Sequence, residues 1–254
     1  MTSHAHPVLF AENLSFSHPG KRILNAVGFS LHAGTITCLL GGNGAGKTTL
    51  FNLITGFLRP DAGAIQFRGT TLAGHPPHRI SRLGVVRTFQ DLRLIGKLSV
   101  RDNLLLALPH HPSERLVRAL LPSRFHRKRN TEDLRKADTL LEEFSLVQVA
   151  DQATSEISYG QQKLLTLACC AAMDANLLLL DEPVAGISPE FRERIAERLA
   201  GFKAAGKTIL LIEHQPDFLE RTGDTFFFLQ AAKLHRFATF DALRAAQVAQ
   251  DALA

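Results

Sequence analysis

The eight residues GGNGAGKT, Gly41 to Thr48, hold four glycines, a lysine and then a hydroxyl side chain. They follow the β-branched, apolar run TITCLL and lead into a helix-forming stretch through Leu53. A strand, this loop and a helix in that order are the setting in which such spacing cradles phosphate. Backbone N–H groups without Cβ interference can curl around phosphate oxygens. Lys47 would then reach the β- and γ-phosphates, and the Thr48 hydroxyl would reach a Mg²⁺ ion. A plain glycine turn is the alternative, and the full pattern in its setting disfavours it. By itself the motif implies only a bound nucleoside triphosphate.

LLLLDEP, Leu177 to Pro183, narrows the chemistry. Four apolar residues make a buried strand that delivers Asp181 and Glu182 at its carboxyl end, where ligands of α/β proteins bind. Adjacent carboxylates there can divide the work. Asp181 would hold Mg²⁺ through water, and Glu182 would polarise an attacking water as general base. Alone, the pair reads equally well as a solvated acidic turn. ILLIEH, Ile209 to His214, repeats the design of a buried strand ending in a polar residue. A lone histidine is more often structural, but at the same strand-end edge His214 could hydrogen-bond the γ-phosphate. Gln90, in VVRTFQ, offers a neutral amide able to touch both Mg²⁺ and water.

A third polar stretch asks for an explanation. EISYGQQKLLTLACC, Glu156 to Cys170, reads as a buried helix whose entry is loaded with Ser158, Gly160, Gln161 and Gln162. One serine would suffice as an N-cap, and the phosphate loop lies more than a hundred residues earlier.

The elements that must position these groups alternate. VLFAENLSF and ILNAVGFSL read as strands with SHPGKR turning between them, and AIQFRGTTL as a short strand pair. From about Asp91 to Gln152 the spacing becomes helical, in RDNLLLAL and EDLRKADTLLEEFSL. The α/β rhythm then returns through NLLLLDE, FRERIAERLAGFKAAG, TILLIEH and TFFFLQ. Buried strands alternating with helices imply a mainly parallel sheet covered on both faces. The expected division is a nucleotide-binding α/β core of residues 1–90 and 153–254, with residues 91–152 inserted as a helical subdomain.

Bulk properties, 254 residues at 45% hydrophobic and 21% charged, fit one large domain or two small ones. A net charge of +5 favours anionic partners without choosing among nucleotide, nucleic acid and lipid. The densest basic run, SRFHRKRN from Ser123 to Asn130, reads as a solvated face, with membrane headgroups or a partner subunit as the alternative. Three cysteines inside apolar segments, without CxxC spacing, argue against both a disulfide framework and a zinc site. The N-terminus lacks the pattern of a secretory signal, and no apolar stretch approaches the ~20 residues of a membrane helix.

In order and spacing, the P-loop, RTFQ, SYGQQ, LLLLDEP and IEH resemble the ATP-binding subunits of ABC transporters over roughly residues 8 to 230. The resemblance implies a P-loop ATPase with a mainly parallel core sheet, an N-terminal antiparallel β subdomain and an inserted α-helical subdomain. It implies ATP and Mg²⁺ as ligands. ATP contacts would fall on Gly41, Gly42, Asn43, Gly44, Ala45, Gly46, Lys47, Thr48 and Thr49, with Phe16 stacking on adenine. Mg²⁺ would meet Thr48, Gln90 and Asp181, and catalysis would rest on Glu182, His214 and Gln90. It also answers the question of the helix entry. Ser158, Tyr159, Gly160, Gln161 and Gln162 occupy the family's signature position, where a helix N-terminus faces the γ-phosphate held by a second ATPase subunit packed head to tail. Free N–H groups and a helix dipole suit that task.

GVVRTFQDLRLIGKLSVRDNLLLAL, SYGQQ and DEPVAGISPE further resemble the subunits of branched-chain amino-acid uptake systems. That implies import, transmembrane permease partners, and a cytoplasmic chain held peripherally on the inner face of the membrane. Direct nucleic-acid binding is not expected, although a soluble ABC-type ATPase acting on nucleic acid or ribosomes is the competing class. Three departures stand out. Gly42 replaces a frequent proline, and Ser188 ends AGIS where many members carry aspartate. After FFFLQ the family's glycine hairpin is replaced by AAKLHRF, so Lys233 or a neighbour must take positive φ or the tail must pack differently.

Overall fold

The computed structural model describes residues 6–88, 94–109 and 123–251. In chain order come strands β1 (Leu9–His18), β2 (Lys21–Leu31) and β3 (Ile36–Leu40), helix α1 (Lys47–Ile54), and strands β4 (Ala62–Phe67) and β5 (Thr70–Thr71). Helix α2 (Pro77–Arg82), strand β6 (Val85–Arg87) and helices α3 (Val100–Ala107), α4 (Ser123–Glu143) and α5 (Tyr159–Ala172) follow. The chain continues with β7 (Leu177–Asp181), α6 (Pro189–Ala204), β8 (Thr208–Ile212), α7 (Pro216–Thr222), β9 (Thr225–Gln230), β10 (Lys233–Phe237) and α8 (Phe240–Asp251).

These elements form two compact units. The first comprises the chain up to Arg87, Asn176–Ala185 and everything from Leu199. It holds an antiparallel sheet, order β2-β1-β4-β5, and a mixed sheet, order β10-β9-β3-β8-β7-β6. In the mixed sheet β9, β3, β8, β7 and β6 run parallel and only β10 is antiparallel. Every residue of β3, β7 and β8 is buried, as expected of strands covered on both faces. Leu9, Leu14 and Phe67 of the antiparallel sheet share one core with Leu39, Leu179, Leu210 and Phe227 of the mixed sheet and with Phe51 of α1. That core brings the carboxyl ends of β3, β7 and β8 to one edge in parallel register.

The second unit, residues 88–175 and 186–198, is helical. Ser99 caps α3 by accepting from the Asp102 N–H at 3.0 Å, and Arg101 reaches both Asp138 of α4 and Asp151. Ala107, Leu108 and Ala172 form its apolar cluster with Leu105, Leu140 and Cys169. Besides residues 91–152, this unit takes in α5 and the opening of α6. The apolar spacing of α5 matched the rhythm of the core, but its packing belongs to α3 and α4.

The tail forms a hairpin through a two-residue turn, with Ala231 at φ 47° and Ala232 at φ 63°. Lys233 opens β10, so two alanines take the left-handed conformation for which glycine is suited. The Asn25 N–H donates to the Ala232 carbonyl at 2.9 Å and holds the turn against β2. A left-handed L-residue costs about 1–2 kcal/mol, and glycine returns about 0.5–1 of that as lost chain entropy. Ala232→Gly is therefore expected to raise stability by about 0.5–1 kcal/mol, seen as a Tm about 1–4 °C higher. A lower Tm would show that this turn is not strained.

The three thiols are free, with Cys38 and Cys170 buried. Burial pushes all three up, Cys169 to about 12. Among the described residues no helix is long and apolar enough to cross a membrane.

Candidate active site

The glycine loop joins β3 to α1, and Gly41, Gly44 and Gly46 take φ of 150°, 73° and 109°. At Gly46, the N-cap of α1, a Cβ would sit 2.7 Å from Ile23 Cγ2, so both conformation and space demand glycine. Open space surrounds Gly42. Asn43 and Thr48 are exposed, and Ala45 and Thr49 half-buried. No side chain caps α1 and no acidic residue lies in its first turn. Its leading N–H groups and positive dipole end therefore face the loop, which suits an anion.

Lys47 is 8% exposed. Its Nζ donates to the carbonyls of Gly41 at 2.6 Å and Gly42 at 3.1 Å, bracing the loop. Burial lowers its pKa, while the charges of Glu182 and Asp181 oppose that shift. The ammonium thus sits within electrostatic reach of both carboxylates.

Asp181 ends β7, buried to 5%. Arg87, at the end of β6, donates to its Oδ2 at 3.3 Å and to Asn52 Oδ1 at 2.5 Å, with the guanidinium 5.2 Å above the Phe51 ring. Burial raises the Asp181 carboxyl pKa, and Arg87 only partly offsets this. Glu182 follows at φ 49°, a left-handed conformation costing about 1–3 kcal/mol for a non-glycine residue. Its N–H donates to the Ile212 carbonyl at 2.9 Å, which pins it to the next strand. As a result Glu182 Oε1 lies 3.5 Å from His214 Nε2, beyond the end of β8. Both side chains are open to solvent, 27% and 44% exposed.

Phe16 is 8% exposed and belongs to the core with Leu14 and Leu24, which leaves little of it open to a base. Strand alternation explains this: positions 14 and 16 share the inward face. The exposed ring at this strand end is His18, 5.1 Å from Phe16 and edge-on to it. His18 pairs with Lys21, two residues before the Ile23 that abuts the glycine loop.

In the helical unit, Ser158 caps α5 through a reciprocal box, accepting from the Gln161 N–H at 3.3 Å while Gln161 Oε1 accepts from the Ser158 N–H at 2.9 Å. Gln162 donates to the Thr154 carbonyl at 2.8 Å. The two glutamine side chains therefore serve the local turn. Gly160 packs under Phe191, where a Cβ would meet the ring at 2.5 Å. Tyr159 is exposed beside Gly186 of the AGIS segment, and the exposed Ser188 supplies the carbonyl that accepts from the Arg192 N–H. Gln90 lies outside the described residues.

Sequence reasoning passed over three groups. Arg87 holds Asp181 and donates in turn to Asn52, and Glu213, only 1% exposed, accepts from two backbone N–H groups at the exit of β8. A glutamate following the buried run ILLI was a visible signal. Among the described residues, a cavity of about 610 Å³ lies elsewhere, at the C-terminal end of α1 near Gly56, Pro60 and His75.

A glycine loop running into an uncapped helix, with a carboxylate pair and a histidine on the neighbouring strand ends, defines a P-loop nucleoside triphosphatase. Comparison with known proteins narrows the class. The family model for ABC transporters matches residues 24–185. The chain is 37% identical over 222 residues to a probable branched-chain amino acid transport ATP-binding protein, LivG, of Archaeoglobus fulgidus, covering 87% of this chain and 85% of that one. It is 37% identical over 224 residues to the high-affinity branched-chain amino acid transport ATP-binding protein LivG of Escherichia coli, covering 88% of each. A nucleotide-free ATP-binding cassette from an ABC transporter superposes with a TM-score of 0.80 at 28% identity, over 94% of both chains. The chain belongs to the ABC transporter family as one of its ATP-hydrolysing cassettes.

Proposed function

We propose that this cassette powers the import of branched-chain amino acids, or of related small polar solutes, as a subunit bound to membrane permeases. The observation that carries this reading is the likeness to LivG proteins over 85–88% of the chains, joined to a hydrolytic pair, Glu182 and His214, 3.5 Å apart. On it the chain is cytoplasmic and peripheral on the inner membrane face.

The β- and γ-phosphates of ATP take the N–H groups of Gly41–Thr49, and Lys47 exchanges its loop carbonyls for phosphate oxygens. His18, in place of the buried Phe16, faces the base. The donors offered to a metal are all oxygen: the Asp181 carboxylate, the Thr48 hydroxyl and the Gln90 amide. That set fits a hard cation such as Mg²⁺, which when bound neutralises charge on the phosphate oxygens. Glu182 takes the proton of the attacking water, and His214 steadies Glu182 and the γ-phosphate side. The α5 N-terminus, ordered by its own capping box, completes the site of a second ATPase subunit through the Ser158 hydroxyl and the leading N–H groups.

Two experiments test this. In cells that carry the chain, its deletion abolishes ATP-dependent uptake of labelled leucine, and a Lys47→Ala copy fails to restore it; unchanged uptake would contradict the transport reading. Light scattering of Glu182→Gln with Mg²⁺-ATP is expected to show a species of twice 27.9 kDa. A persistent monomer that binds ATP would assign the pairing role to a paralogous chain.

A further inference from the structure

The turn that carries Glu182 has a short and complete list of backbone donors. The Glu182 N–H goes to the Ile212 carbonyl at 2.9 Å, Pro183 has none, and the Ala185 N–H returns to the Glu182 carbonyl at 3.3 Å. The remaining N–H, of Val184, donates to Glu213 Oε1 at 3.1 Å. The other oxygen of that carboxylate, Oε2, accepts from the His214 N–H at 2.7 Å. Two residues further on, Gln215 Nε2 donates to the Val184 carbonyl at 3.4 Å. Glu213 itself is 1% exposed. A carboxylate is withdrawn from water only when charge-assisted bonds replace its solvent, and here both replacements come from the backbones beside the two proposed catalytic side chains.

We propose that Glu213, with Gln215, is a positioning clamp: its carboxylate bridges Val184 and His214 and so sets the separation of Glu182 from His214. The inference rests on the hydrolytic reading of those two residues. Each catalytic side chain projects from a strand exit, where the ladder no longer fixes the backbone. The left-handed Glu182 is strained and would relax if the turn were released. A carboxylate offers one acceptor oxygen to each of two separate strand exits. An amide at position 213 would present one acceptor oxygen and one NH₂ donor in their place.

Glu213→Gln keeps the volume but turns an NH₂ group toward one of the two donors. Because misplacement by about 1 Å costs about 100-fold in rate, its kcat is expected to fall by about 10- to 100-fold. Its KM for ATP and its equilibrium affinity for Mg²⁺-ATP should stay within about 3-fold, since the glycine loop and Lys47 are untouched. A merely structural glutamate would leave kcat unchanged or weaken ATP binding together with turnover, and either result overturns the proposal. If Glu213→Gln does not fold, Gln215→Met decides, because Gln215 is only half-buried. It is expected to lose about 3- to 10-fold in kcat with unchanged ATP affinity, and wild-type kcat there overturns the clamp. Glu182→Gln run alongside separates the two levels. If it retains turnover, the hydrolytic reading fails; if it is dead while the position-213 and position-215 variants are fully active, the clamp alone fails.

Discussion

Glu182→Gln is expected to lower steady-state phosphate release by about 10²–10⁴-fold, the range of a positioned general base, while ATP binding is unchanged. Gln fills the same volume, keeps the backbone pin to Ile212 and can still hydrogen-bond to His214, yet it cannot take a proton from water. The affinity for ATP comes from the loop N–H groups and Lys47, which the substitution leaves alone. Phosphate release and equilibrium ATP binding, measured on the same preparation, check both halves. Turnover at the wild-type rate would remove Glu182 from the chemistry and leave the 3.5 Å contact with His214 as an ordinary surface pair.

Arg87→Met carries the largest expected effect on stability. Both members of the Arg87–Asp181 pair are at most 6% exposed, and burial already raises the Asp181 pKa against the pull of Arg87. Removing the guanidinium leaves a buried carboxylate short of a partner, a change that costs about 3–5 kcal/mol. For a chain of this size that is a Tm lower by about 6–20 °C. The sign with pH follows. Without Arg87 the carboxyl pKa rises further, and protonated Asp181 buries no charge. The deficit is therefore full above that raised pKa and shrinks as pH falls through it. Arg87→Met combined with Asp181→Leu should recover most of the lost stability, since a buried pair replaced as a whole by apolar side chains is close to neutral. Thermal melts at two pH values and on the double variant test the account, and additive losses would contradict it.

The parts most legible in sequence were those whose period or chemistry is local. TITCLL, LLLLD and TILLI are short, mainly apolar runs, and each contains a fully buried parallel strand with candidate site residues at or just beyond its exit. The glycine spacing likewise announced a loop between a strand and a helix, and Gly41, Gly44 and Gly46 there take positive φ. Less legible was whatever depends on a distant partner. β6 is three residues long, too short for any periodicity, so Arg87 read as part of a junction rather than as the counterion of Asp181, 94 positions away. Phe16 was assigned to the base by the family resemblance; it lies on the inward face with Leu14, while His18, at the end of the strand, is exposed. SYGQQ was read as donors waiting for an anion, yet Gln161 and Gln162 are used by their own turn. The alanine hairpin shows the same limit, since its strain is tolerated through a backbone bond from Asn25 that no local pattern encodes.

The claim on which everything else depends is that ATP sits on the Gly41–Thr49 loop with Lys47 at its phosphates. Isothermal titration of Mg²⁺-ATP into Glu182→Gln, with and without Lys47→Ala, tests it without interference from turnover. The account predicts one ATP per chain for the single variant. With Lys47→Ala added, affinity should fall by about 10- to 100-fold, the loss expected when one buried charge-assisted contact to phosphate is removed. Equal affinity in the two proteins would place the nucleotide, or the lysine, somewhere other than this loop and would contradict the account.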